Sequence, residues 1–244
     1  GKEKSTEVKL TSDIKDELQN IKNALAKPAV IFKTGGKKPT KELLESWIGR
    51  VGWKHVGEEI PKDCAGEPMV PFMTLFIKEL PYIPDAIKHI ELLTVFLSVE
   101  TLEEAVLEDG DFLIRTYSSL ENLQPCDWYT DYVKAFPLTP KLITDDYPAW
   151  DSEDIPETLR KRILELERNE GINYFDDIIG DDECYHKIGG YPSYIQSGIV
   201  LEGYEFVFQI TYDEKANFCF GDAGNIYFFY NKDENRWRVH YDYY

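Results

Sequence analysis

The chain has 244 residues, 43% hydrophobic and 14% aromatic with Tyr and Phe far ahead of Met, which is ample core material, excludes intrinsic disorder and favours strands over long helices. Its net charge of −18 is uneven: residues 1–50 carry eleven Lys/Arg against seven Asp/Glu, a net of +4, which leaves −22 for residues 51–244. Such a surface repels phosphate backbones and excludes nucleic acid as a ligand unless the basic N-terminal segment acts alone; it suits a basic protein partner, or plain solubility.

No apolar run reaches the roughly 18 residues of a transmembrane helix, and GKEKSTEVK (1–9) lacks the apolar stretch of a signal peptide, so a soluble chain with no membrane contact is expected. The first residue is Gly1, which leaves open a leader removed earlier. Cys64, Cys126, Cys184 and Cys219 lie far apart in a chain large enough to fold without staples, which points to free thiols and the cytoplasm.

Leu10, Ile14, Leu18, Ile21 and Leu25 recur at helical spacing behind Thr11-Ser12-Asp13 and predict an amphipathic helix over 12–26, ending before Pro28. AVIF (29–32) reads as a strand and GGKKP as a turn, after which Thr40 is expected to cap a short helix through Leu43, Leu44 and Trp47. MVPFMTLFI (69–77), ELLTVFLS (91–98) and DFLIRTYS (111–118) are strand patterns, with a small helix expected within 99–109. Residues 121–154, rich in Pro, Asp and Tyr, read as loops with short strands. Ile155, Leu159, Ile163 and Leu166 mark a second helix with Pro156 in its first turn and Gly171 as its stop. YEFVFQI (204–210), NIYFFYN (225–231) and WRVHYDYY (237–244) close the chain as strands.

The spacing of two strand pairs is equal: Ile77 to Phe96 is 19 positions, and so is Ile210 to Phe229. Each first strand follows a glycine-containing segment, SWIGRVGW (46–53) in one half and HKIGGYP (186–192) in the other. The expected fold class is therefore α+β, a mainly antiparallel sheet with flanking helices, built as two related halves over 28–120 and 155–244 behind an N-terminal helix in 1–27.

HKIGGYPSYIQ, then FVFQI, then GDAGNIYFFYNKD resembles the C-terminal signature of the YwqG-like family, DUF1963, through His186, Gly190, Tyr191, Pro192, Gln196, Gln209, Ile210, Gly221, Asp222, Gly224, Phe228 and Phe229. SWIGRVGW and GEPMVPFMTLFIKELP stand where the family's first-half elements belong, so the likeness covers most of residues 28–244. The first-half glycine pair is Gly49-Arg50 here, and Phe76 stands at the first glutamine position. The resemblance implies a fold and no general chemistry; some members resemble bacterial immunity proteins encoded beside secreted toxins.

The glycine pair before Tyr191-Pro192 has a complete structural explanation in positive φ and close backbone approach. Gly189-Gly190 lacks the strand–GxGxxG–helix setting of a dinucleotide loop. His186 with Asp222 as its orienting carboxylate is the candidate base of an enzyme or small-ligand pocket; the other reading is a histidine that bonds backbone in the turn. Cys184 and Cys219 are nucleophile candidates or inert thiols, and no G-x-S-x-G motif occurs. Gln196 and Gln209 are either solvent-facing or buried amides that need partners, and Asp222 and Gly224 belong to a turn. No CxxC or HExxH pair accompanies Cys184-x-His186, and DDIIGDDE (176–183) lacks the ligand alternation of a calcium loop, so no metal or cofactor is expected.

Trp128, Tyr129, Tyr132, Tyr147 and Trp150 lie among Asp127, Asp131, Asp145, Asp146, Asp151, Glu153 and Asp154. Aromatic anchors ringed by carboxylates suit a basic protein partner, or the aromatics are core and only the acids face water. The leading expectation is a non-enzymatic acidic binding protein, in its most specific form a toxin-immunity protein.

Overall fold

The computed structural model describes residues 10–42, 45–180 and 183–244. Helix α1 (Ser12–Leu25) starts at Thr11, whose hydroxyl accepts from the Ile14 N–H, and leads directly into β1 (Lys27–Thr34). There follow β2 (Ser46–Ile48), β3 (Arg50–Lys54), β4 (Val70–Phe76), β5 (Leu92–Leu97), α2 (Val99–Glu104), β6 (Phe112–Tyr117), β7 (Gln124–Tyr129) and β8 (Phe136–Asp146). Helix α3 (Glu157–Glu170) begins after Pro156 and ends at Gly171 with φ +70°; β9 (His186–Gly189), β10 (Glu205–Ile210), β11 (Asn225–Asn231) and β12 (Arg236–Asp242) complete the chain. The fold is mostly antiparallel sheet with few helices, and no helix among the described residues is long and apolar enough to cross a membrane.

Ten strands form one antiparallel sheet in the order β12-β11-β10-β9-β1-β8-β2-β4-β5-β6, while β3 and β7 pair separately. The sheet curls until its flanks meet: Phe112 on β6 packs edge-on against Phe228 on β11, 5.9 Å between ring centroids. Val30, Ile48, Phe72, Met73, Ile188, Phe208, Ile210 and Phe228 all belong to the enclosed core. Helices α1 and α3 make a second cluster through Ile21, Leu25, Ile163 and Leu166, joined by Tyr147 and Trp150. Each helix buries a stripe against the other, as the 3.6-residue spacing of its apolar positions requires.

Two expectations are corrected. Trp47 lies in strand β2 opposite Thr74 rather than in a helix, and the Thr40 hydroxyl and N–H bond the Glu45 carboxylate; Leu43 and Leu44 lie outside the described residues. The 121–154 segment holds the eleven-residue strand β8 at the sheet centre, despite Pro137 and Pro140. The β8–β2 register covers only 136–138, so the Pro140 stretch pairs with β1 alone and half of its N–H groups need no strand partner.

The strand order places the same sequence of elements on both sides of the β1–β8 pair. Lys33 stands opposite Thr139; Phe32 pairs with Pro140 and Thr34 with Leu138. β9 lies along β1 with Phe32 opposite His186, as β2 lies along β8 with Leu138 opposite Ser46. β4 and β10 each slip register at one point against the next strand, between Pro71 and Met73 and between Phe206 and Phe208. By that slip Gln209 on β10 corresponds to Thr74 on β4, not to Phe76, and Gly189 corresponds to Gly49.

Candidate functional site

The turn after β9 is shaped by its glycines. Gly189 and Gly190 have φ of +77° and +64°, and a Cβ on Gly190 would overlap Asp146 Oδ2. That carboxylate accepts from the Tyr191 N–H at 2.8 Å and from the buried Lys187 ammonium at 2.9 Å, so it ties the turn to the end of β8. Lys187 also donates to Ser193 Oγ at 3.1 Å. The Tyr191 hydroxyl donates to Leu25 O at 2.7 Å, linking the turn to α1, and burial pushes its phenol up to about 12. Pro192 is buried beside it.

Alternation puts Lys187, Gln209 and Tyr227 on the sheet face away from the main core, directly across from one another. Gln209 accepts from the Ser193 N–H at 2.8 Å and donates to Tyr185 O and Ser193 Oγ at 2.9 and 3.0 Å. Asn225 Nδ2 donates to Ser193 O, and the Tyr227 hydroxyl, 2.8 Å from the same carbonyl, donates its one proton to Asp242 Oδ1 at 2.6 Å. Burial, and next the Asp242 carboxylate, drive the Tyr227 phenol far above its ordinary value. Asp242 Oδ2 accepts from the N–H groups of Ile195 and Gln196, while the exposed Gln196 side chain donates to Tyr243 O at 2.7 Å. These contacts anchor one loop, residues 190–196, over the sheet.

His186 points to the other face. Its Nδ1 accepts from the Thr211 N–H at 3.1 Å, which places the proton on Nε2, and Nε2 donates to Asp213 Oδ2 at 2.7 Å. Asp213 accepts further from the Thr34 hydroxyl and the Ala216 N–H. Burial alone would raise this carboxyl; the bonds from His186, Thr34 and Ala216 outweigh it and bring it down to about 2. Both imidazole nitrogens are thus engaged in a buried network that closes the turn at 211–218. Asp213, not Asp222, is the carboxylate beside His186. Asp222 is exposed, its carbonyl accepting from the Tyr244 N–H, and Gly224 lies buried against Asp242 O and Phe220 O.

Cys184 and Cys219 are both exposed, the first beside Asn225 and the second donating to Gly221 O. Among the described residues no group of three or more His, Cys, Asp or Glu is placed to hold a metal. Tyr174–Ile179 form a single π-helical turn ahead of Gly180; Asp181 and Asp182 lie outside the described residues.

The structure divides the aromatic and acidic positions into two places. Trp128 is half-buried, 6.1 Å from Phe96, and Tyr129 is exposed opposite Arg50. Tyr147 and Trp150 pack in the helix cluster, Trp150 lying 5.0 Å from Tyr174 with the Arg160 guanidinium 4.6 Å above it. Tyr129 neighbours the Phe136 end of β8 through Arg50 and Ile48, whereas Asp145 and Asp146 occupy the other end, roughly 33 Å along an extended strand. At that second end Asp151, Glu153 and Glu157, with Ile155, Pro156 and Arg160, line a hollow of about 380 Å³. Asp145 and Asp154 are exposed beside them, and Asp146 is taken up by the glycine turn.

Asp213, Ser193, Asn225, Tyr227 and Asp242 carry most of the polar network and were not among the sequence candidates. Period-two alternation of Asn225 and Tyr227 with Ile226 and Phe228 was the available signal for those two; Asp213 sits in TYDEKAN, which reads as an ordinary surface turn. No curated protein matches the chain. A family model described as a domain of unknown function, DUF1963, matches residues 53–238. That span holds β4 to β11 and most of the glycine-turn network, with Asp242 just beyond it, and the chain belongs to the DUF1963 family.

Proposed function

We propose that the chain is a non-enzymatic binding protein whose acidic face receives a basic protein, with a toxin as the most specific partner class. The observation that carries this reading is the hollow at the start of α3. Asp151, Glu153 and Glu157 present carboxylates to solvent around Ile155 and Pro156, while the Arg160 guanidinium is turned inward to donate to Trp150 O and Ser152 O. A lysine or arginine side chain fits such a surface, because its charge meets the carboxylates of the rim. The small-ligand or enzyme alternative around His186, Gln209 and Asp222 is less well supported, since His186 and Gln209 are engaged internally and Asp222 lies on an exposed turn.

We also infer that the two flanks of the sheet descend from one duplicated unit. The matched register slips on β4 and β10, and the glycines with φ of +75° and +77° that follow Ile48 and Ile188, support common descent over convergence.

Partner capture from native lysate tests the binding role, comparing the wild-type chain with a triple charge reversal, Asp151→Lys, Glu153→Lys and Asp154→Lys. The expected result is a basic protein retained by the wild type, released as salt is raised, and missing from the variant, with the variant's circular dichroism unchanged. An identical set of retained proteins at both salt levels and on both chains would sink the reading.

A further inference from the structure

At the far end of β8 from the acidic hollow, a cation is buried in an acidic protein with its bonding capacity unfilled. The Arg50 side chain is 4% exposed, yet its one ion pair among the described residues is a 3.4 Å contact from Nη2 to Asp127, a residue whose own side chain is 76% exposed. Arg50 Nε is buried with no acceptor among the described residues, and so is Nε1 of Trp47. The guanidinium lies 4.9 Å from the Trp47 ring centroid and 5.6 Å from that of Tyr129. Its third side rests on Gly52, where a Cβ would come within 2.8 Å of Cζ and Nη1. Two rings and a bare backbone therefore flank the guanidinium. Such flanking suits side-on recognition of an oxyanion, and a buried, incompletely bonded charge favours any acceptor that completes it.

Two further cations stand close by, among the carboxylates of Asp127 and Glu45. Lys41 lies over the outer aromatic, 5.9 Å from the Tyr129 centroid, and Lys54 over Trp128 at 5.6 Å. The exposed Asp127 carboxylate already meets Nη2 by one long contact of 3.4 Å, so the guanidinium accepts a carboxylate where it stands.

We propose that Arg50 is the receptor for a carboxylate supplied by an acidic peptide segment, which displaces Asp127 and takes the Nε and Nη2 edge of the guanidinium. The proposal goes beyond the acidic-face reading and stands independently of it: it concerns the opposite end of β8 and a ligand of opposite charge. Asp127 acts in it as an internal competitor.

Titration of the full chain with hexaglutamate, followed by calorimetry, tests this, with inorganic phosphate as the parallel probe. Saturable 1:1 binding of hexaglutamate is expected. Arg50→Lys, which keeps the charge and loses the fork, should weaken it roughly tenfold or more. Gly52→Ala, which pushes the guanidinium off its seat, should weaken it likewise, and Asp127→Asn should tighten it several-fold. The last two variants keep the test sharp if the first lowers stability. Absence of saturable binding to both the wild type and Asp127→Asn overturns the proposal, as does binding indifferent to Arg50→Lys and Gly52→Ala. Saturation by phosphate in preference to the peptide would overturn the assignment of a carboxylate ligand.

Discussion

The two glycine turns of the sheet, after β2 and after β9, have the same backbone and different uses. Gly49 and Gly189 share φ near +75°, and each follows an isoleucine of the main core. Beyond them the chain diverges. Asp146 presses against Gly190 and bonds Lys187 and Tyr191, so the second turn is locked by a polar network. The first turn carries Arg50 at the matching position, and its covering segment becomes β3, paired with β7. On β4, Thr74 keeps a reduced version of Gln209's role, donating to Arg50 O at 2.9 Å and accepting from the Gly52 N–H at 3.3 Å. Among the described residues the second flank leaves one buried side-chain group without a hydrogen-bond partner, His240 Nε2, whereas the first leaves several, among them the donors of Trp47, Arg50 and Trp53. One backbone plan thus yields a rigid clasp on one side and an open-bonded site on the other.

The largest break in this comparison is expected from Gly190→Ala. It places a Cβ on the Asp146 carboxylate in a left-handed conformation, and should cost about 4 kcal/mol in denaturant unfolding. A side chain is already present at the matching position in the first turn, so the same cost is not general to the plan.

Asp213→Asn comes next. With a folded value near 2 against an ordinary 3.8, the carboxylate contributes stability that is complete above the ordinary value and is lost as pH falls through 3.8 to about 2. The substitution should lower stability by about 2 kcal/mol at neutral pH. The gap between variant and wild type should close as unfolding is measured at progressively lower pH; a gap that widens on acidification would contradict the assignment.

The smallest contrast compares the matched positions on β10 and β4. Gln209→Leu removes three hydrogen bonds, to the Ser193 N–H, Tyr185 O and Ser193 Oγ, and should cost about 2 kcal/mol, while Thr74→Val removes two, to Arg50 O and the Gly52 N–H, and should cost about 1 kcal/mol. Equal losses, or a larger loss at Thr74, would show that the two flanks are not weighted as described.

The sequence made the regular parts of this arrangement visible. Helical spacing from Leu10 to Leu25 and from Ile155 to Leu166 marked α1 and α3, and the apolar runs marked β4, β5, β10 and β11. β8 was hidden because Pro137 and Pro140 speak against a central strand, and the short reach of β2, which ends at Leu138, explains the tolerance of Pro140. β2 was hidden because Trp47 continued a plausible helical stripe from Leu43 and Leu44. The signature residues His186 and Gln209 were visible as candidates, but their roles depend on Asp213 and Ser193. Those partners are 27 and 16 positions away, with nothing local to mark them. The acidic segment was visible too, although its aromatics belong partly to the helix core and Trp128 to a different end of the molecule.

The signature residues His186 and Gln209 are engaged inside the fold, and the proposed recognition lies on the surface. The most direct test of this division measures, side by side, the unfolding midpoint of His186→Gln and its retention of the partner captured by the wild type. The account predicts a marked fall in midpoint with partner retention preserved wherever the variant is folded. An unchanged midpoint with retention lost would contradict it and return His186 to the functional site.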